Sequence, residues 1–165
     1  MQAELKQRII TALILLPIVI WSVFFAPNSL AFALLAAVVV TIGAWEWARL
    51  MGWQNASARI AYAALVAAAL VLVALPVSAP VHQPLFIGAT IFWLLARRLV
   101  QGYPANTHLW AKSSLLAPIG LLLLVPAWLG LTTLQASSAG WLLYLFVLVW
   151  GADTGAYFAG RRFGK

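Results

Sequence analysis

Asp153 is set deep in an apolar run, residues 140–159, in a chain that has only three acidic residues. A carboxylate at membrane depth costs ~2.5–3.5 kcal/mol on insertion scales, so it is kept where it meets a partner or a wet cavity. In helical register Tyr157 follows at i+4 and Trp150 precedes at i−3, which puts the three on one face. Gly151 and Gly155 form a Gly-x-x-x-Gly pair, and Ala152 and Ala156 repeat the spacing one step on. Small residues let a neighbouring helix pack closely, or let a substrate or metal approach the backbone beside the carboxylate. The run ends in Arg161, Arg162 and Lys165. A carboxylate just below a basic rim suits a cation and phosphates held at a membrane surface. The bland alternatives are a packed helix whose Asp bonds a neighbour, and a basic anchor at the membrane edge. Gly155 to Arg161 mimics Walker spacing, but it lacks the Lys-Ser/Thr pair and follows no strand, which excludes a P-loop.

Other chemistry-bearing residues are few. Glu46 lies between Trp45 and Trp47 with Arg49 at i+3, the pattern of a helix-end ion pair worth at most about a fraction of a kcal/mol when wet. His82 and His108 fall on opposite sides of the membrane and cannot share a metal. There is no cysteine, hence no disulfide and no thiolate metal site. Pro17, Pro118 and Pro126 are expected to kink their helices.

The elements that must position these residues are dictated by composition. Hydrophobic residues make up 65% of the chain and charged residues 8%, with a mean hydropathy of +1.00. A soluble domain carries roughly 25% charged residues, so this chain cannot cover itself with polar surface in water. Lipid offers no partner to open backbone groups, so the spans are helices. The expected fold is therefore all-α: a polytopic integral membrane protein of about six transmembrane helices, at 9–26, 30–45, 60–77, 85–96, 113–134 and 140–159, in one membrane domain over 1–165. The fourth segment is short of the ~20 apolar residues a span needs; residues 81–84 would complete it, or it would be tilted or re-entrant.

All ten Lys and Arg fall in alternate polar stretches, on one side if every segment crosses. The positive-inside rule makes that side, and both termini, cytoplasmic. The net charge of +7 follows from this topology and implies attraction to anionic headgroups. No basic stripe with interleaved aromatics lies on a soluble element, which argues against nucleic acid. The first segment lacks a following cleavage region and reads as a retained signal-anchor. Alanine-rich runs favour close helix packing, and Trp45, Trp47, Trp53 and Trp110 sit near segment ends, as interfacial aromatics do. The chain shows no internal repeat of the kind that builds transporters.

Trp150-Gly-Ala-Asp-Thr-Gly-Ala-Tyr-Phe-Ala-Gly-Arg-Arg-Phe-Gly-Lys165 resembles the central motif of the phosphatidate cytidylyltransferases, the CDP-diacylglycerol synthases. Leu5-Lys-Gln-Arg-Ile-Ile-Thr-Ala-Leu-Ile-Leu-Leu-Pro17 and Ala44-Trp-Glu-Trp-Ala48 are similar to the bacterial members. The resemblance runs along the whole chain in order and spacing. It implies transfer of a cytidylyl group from CTP to phosphatidate, giving CDP-diacylglycerol and pyrophosphate, with Mg²⁺, in the bacterial inner membrane. It implies Asp153 as catalytic and metal-holding residue, and Tyr157, Arg161, Arg162 and Lys165 as substrate-binding residues. A lipid substrate in the membrane and CTP from the cytosol suit a carboxylate under a basic rim, since nucleotidyl transfer needs mainly positioning and charge compensation.

The resemblance also implies more chain. In the family the Gly-Lys ending is followed by a basic Ser-Pro loop, further helices and a His-Gly-Gly then Asp-Arg…Asp stretch, which are implied to carry much of the metal and nucleotide site. The chain as given is thus expected to be an N-terminal portion, inactive alone. Membrane lipids are expected neighbours, and a homodimer stays open. The rival reading is a non-enzymatic membrane module or a small cation or proton transporter subunit using Asp153, which should show further polar groups at mid-membrane depth.

Overall fold

A computed structural model describes residues 10, 14, 17–24, 29–103, 105 and 112–164. Among them all regular structure is helical: α1 (Ser29–Leu50), α2 (Ala56–Ala74), a 3₁₀ turn (Pro76–Ser78), α3 (Ala79–Gln101), α4 (Ser113–Ser137) and α5 (Ala139–Phe163). Residues 17–24 are helical as well. Residues 9, 11–13, 15, 16, 25 and 26 of the first expected span, and Trp110, His108 and Lys165, lie outside the described residues. Five described helices are long and apolar enough to cross a membrane. The protein is an all-α, multi-pass membrane protein.

The fourth expected segment is longer than its apolar run. α3 has 23 residues, about 35 Å at 1.5 Å per residue, against a hydrocarbon core of about 30 Å. The helix starts ahead of the apolar run because Pro80 sits in the first turn, where an N–H would have no helical partner anyway. Pro84 then costs only one bond, and the chain continues through Arg97 and Arg98. At the far end of α4 the expected polar connection 135–139 contracts to a single residue. Ser138, in extended conformation, caps α5 with its side chain on the Gly140 amide at 3.2 Å.

The corner between α1 and α2 is sharply made. Gly52 has φ +85°, and the Gly52 and Trp53 amides donate to the carbonyls of Arg49 and Ala48 at 3.0 and 3.2 Å. This is a helix end closed by a left-handed glycine, a conformation a side chain at position 52 would strain. Asn55 then caps α2 on the Ser57 amide at 2.8 Å. The described Lys and Arg residues all fall at the C-terminal ends of α1, α3 and α5 or near the N-terminal ends of α2 and α4. The alternation read from the sequence thus holds for the described helices.

The fold divides into two compact units, Ala33–Gly130 and Met1–Phe32 with Leu131–Lys165. The core of the first is a stripe of α2, Tyr62, Ala63, Val66 and Leu70, with Ala44 and Ala48 of α1 and Val125, Trp128 and Leu129 of α4. Alanines at the contacts allow close approach, as membrane helix packing requires. Trp47 donates its indole N–H to the Leu116 carbonyl at 2.8 Å, and the Tyr62 hydroxyl donates to the Ala117 carbonyl at 2.7 Å. Both land on carbonyls just ahead of Pro118 in α4. Gly120 leaves room for them: a Cβ there would overlap the Tyr62 hydroxyl and the Trp47 indole nitrogen. Trp128 donates to the Ala33 carbonyl at 3.0 Å. Pro118 and Pro126 lie inside a continuous α4.

In the second unit Leu142 is fully buried and the Gln135 amide donates to the Val23 carbonyl at 3.4 Å.

Candidate functional site

α5 carries the motif, and its second half is open. Residues 147–162 are all exposed. Cβ atoms added at Gly151, Gly155 or Gly160 would meet nothing within 4 Å. The motif face therefore has no described neighbour packed into it, and its small residues leave the backbone approachable. Phe146 stacks on Trp150, with ring centroids 5.6 Å apart and planes 14° from parallel. Tyr157 meets Phe158 edge-on at 5.4 Å.

Helical register sets the geometry of the charges. Asp153, Tyr157 and Arg161 succeed one another at i, i+4 and i+8, so they lie along one face. Arg161 is about 12 Å further along the axis than Asp153, too far for an ion pair. Among the described residues no cation pairs with Asp153. The carboxylate and guanidinium are staggered and separately available, an arrangement that accepts a cation at the deeper point and anionic oxygens nearer the helix end. Tyr157, exposed between them, offers one hydroxyl donor. Arg161 and Arg162 are exposed at the end of α5.

Magnesium, which the family resemblance implies, has a partial donor set here. Among the described residues no three His, Asp or Glu side chains gather at one point. Asp153 offers one carboxylate, the type of oxygen donor that such an ion takes. Mg²⁺ bound with nucleotides takes one or two carboxylates and completes its octahedron with phosphate oxygens and waters. The residues fit one ligand of a phosphate-bridged ion, not a preformed cage.

Glu46 has a partner that its local spacing did not indicate. Arg49 at i+3 stands 4.0 Å away, but Arg59, across the corner on α2, is nearer at 3.4 Å and largely buried. Arg59 also lies 4.0 Å over the Trp45 ring and donates to the Trp45 carbonyl at 3.3 Å. Arg59 thus stitches α1 to α2, and Glu46 serves that corner. The adjoining Trp53 packs edge-on against Tyr62 at 5.9 Å. The Trp47, Tyr62 and Gly120 arrangement was likewise missed. Its sequence signal was a glycine two residues after Pro118 in an otherwise bulky leucine run, with two hydrogen-bonding aromatics in apolar segments.

Residues 6–165 match the family described as the Cytidylyltransferase family. A phosphatidate cytidylyltransferase of Pseudomonas aeruginosa is 45% identical over 168 residues, covering 98% of this chain and 59% of the relative. A phosphatidate cytidylyltransferase of Haemophilus influenzae is 33% identical over 180 residues, covering 98% of this chain and 62% of the relative. The chain thus spans about three fifths of the length of these relatives. No solved structure matches.

Proposed function

The chain belongs to the cytidylyltransferase family, and we propose that the whole protein makes CDP-diacylglycerol and pyrophosphate from CTP and phosphatidate. A phosphate oxygen of phosphatidate attacks the α-phosphorus of CTP. A new P–O bond forms, the bond from the α-phosphorus to the bridging oxygen breaks, and pyrophosphate leaves. The observation that carries this reading is the open half of α5, where Asp153 lies below Arg161 and Arg162 on a helix whose small residues keep the backbone approachable.

Each residue has a role that its chemistry supports. Asp153 would hold Mg²⁺ together with substrate phosphates; the bound ion would offset the charge that develops between the two polyanions. Arg161, Arg162 and Lys165 bind phosphate oxygens, the guanidiniums in bidentate fashion. The Tyr157 hydroxyl donates to a phosphate oxygen between the two levels. Further ligands come from parts of the whole protein beyond the described residues.

The basic helix ends face the cytoplasm, where CTP is found, in the inner membrane of a bacterium. The unpacked Gly151 and Gly155 spacing supports a helix-packing surface on α5, which a second copy of the protein could fill. The reaction is tested with the full-length protein in membranes, given phosphatidate and CTP labelled either at the α- or at the γ-phosphate. The α-label should enter the lipid and the γ-label should leave as pyrophosphate. No label in the lipid, or γ-label there, would overturn the proposal.

A further inference from the structure

Within the Ala33–Gly130 unit lies a cavity of about 180 Å³ between α1, α3 and α4. Phe92, Ala96 and Val100 line it from one stripe of α3, Leu116 and Ile119 from α4, and Trp47 from α1. The Trp47 indole N–H is committed to the Leu116 carbonyl at 2.8 Å, so it presents the cavity with ring carbon. At about 30 Å³ per small group the space takes a segment of hydrocarbon chain and not a whole lipid.

Two cations lie within or near the lining stretches of α3 and α4 in sequence. Arg97 lies one turn beyond Trp93, another lining residue, on the same face of α3, and Lys112 stands just ahead of α4, four residues before the lining Leu116. Both are exposed. The Lys112 carbonyl accepts the Leu115 and Leu116 amides at 2.9 and 3.0 Å, which fixes Lys112 at the head of α4. The acid nearest in sequence to the lining, Glu46, is engaged by Arg59 and Arg49. Among the described residues no ion pair neutralises Arg97 or Lys112.

We infer that α1, α3 and α4 form a binding site for one anionic phospholipid, with part of an acyl chain in the cavity and its phosphate at Arg97 and Lys112. Moving a chain from bilayer hydrocarbon into an apolar cavity gains little, so headgroup charge decides occupancy. A zwitterionic lipid of the same chain length competes poorly. This site rests on α1, α3 and α4 alone and is independent of the reaction proposed at Asp153.

The experiment uses tryptophan fluorescence of the full-length protein in phosphatidylcholine vesicles holding a minor fraction of lipid with brominated acyl chains, which quench nearby indoles. Brominated phosphatidylglycerol should reach half-quenching at a roughly tenfold lower fraction than brominated phosphatidylcholine. Trp93→Phe should shrink that component to the part that Trp47, the other lining indole, contributes. Arg97→Gln with Lys112→Gln, both exposed and so tolerated by the fold, should bring the two lipids level. Ala96→Leu should fill the cavity and weaken quenching by phosphatidylglycerol while leaving the charges in place. Equal half-quenching fractions in the unmodified protein would show boundary lipid only and overturn the site. So would a phosphatidylglycerol preference that survives the Arg97 and Lys112 substitutions.

Discussion

Tyr62 and Asp153 are both polar side chains in helices long enough to span a bilayer, yet their surroundings are opposite. The Tyr62 hydroxyl is buried and spent on the Ala117 carbonyl, and Trp47 does the same one residue earlier. Gly120 exists to let both in. Asp153 sits in a stretch of α5 that is exposed from residue 147 to 162, with no described cation upon it. A polar group in an apolar helix either meets its own hydrogen-bonding need inside the fold or is held for something that arrives. The first kind is architecture and its loss should lower stability. On the reading proposed for Asp153 the second is chemistry, and its loss should lower turnover.

The largest effect should be on the open side. In the full-length protein Asp153→Asn keeps shape and removes charge. CDP-diacylglycerol formation should fall about 10²-fold or more, a size typical of losing one electrostatic catalytic group. On the packed side, Gly120→Ala should be the most damaging small change. Its methyl overlaps Tyr62 and Trp47, and overpacking of this kind costs typically about 1–3 kcal/mol. Thermal unfolding in detergent should show it as a lower midpoint, with turnover per folded molecule retained. Tyr62→Phe removes one hydroxyl whose partner carbonyl stands within a helix, so destabilisation of about 0.5–1.5 kcal/mol is expected from chemical denaturation. Glu46→Gln should be mildest. The carboxylate is more than half exposed, and such pairs contribute about 0–1 kcal/mol; Arg59 would keep its place over Trp45, as an unchanged melting midpoint would show.

The two regions were not equally legible in the sequence. Asp153 was, because an acid in an apolar run is rare and its helical neighbours are fixed by register alone. The alternation of basic loops was legible for the same reason: charge placement is a one-dimensional property. The extent of α3 was not, because Pro80 and Pro84 break the apolar run while a helix start tolerates proline. Gly120 was also opaque, since its role depends on Trp47 and Tyr62 arriving from helices far away in sequence. Glu46 was legible in part: its expected pair with Arg49 forms at 4.0 Å. Its i+3 neighbour Arg49 was visible, but the nearer partner Arg59 is brought in by the left-handed turn at Gly52, which no local pairing rule contains.

On the proposed reading, α5 holds its polar groups for substrate while the α1, α2 and α4 contacts spend theirs on structure. The most direct test measures turnover and thermal stability on the same preparations of full-length Asp153→Asn and Tyr62→Phe. Asp153→Asn should lose about 10²-fold or more in turnover and melt like the parent, whereas Tyr62→Phe should melt lower and keep its turnover per folded molecule. An Asp153→Asn protein that melts markedly lower yet turns over normally once folded would make Asp153 a packing residue and contradict the account.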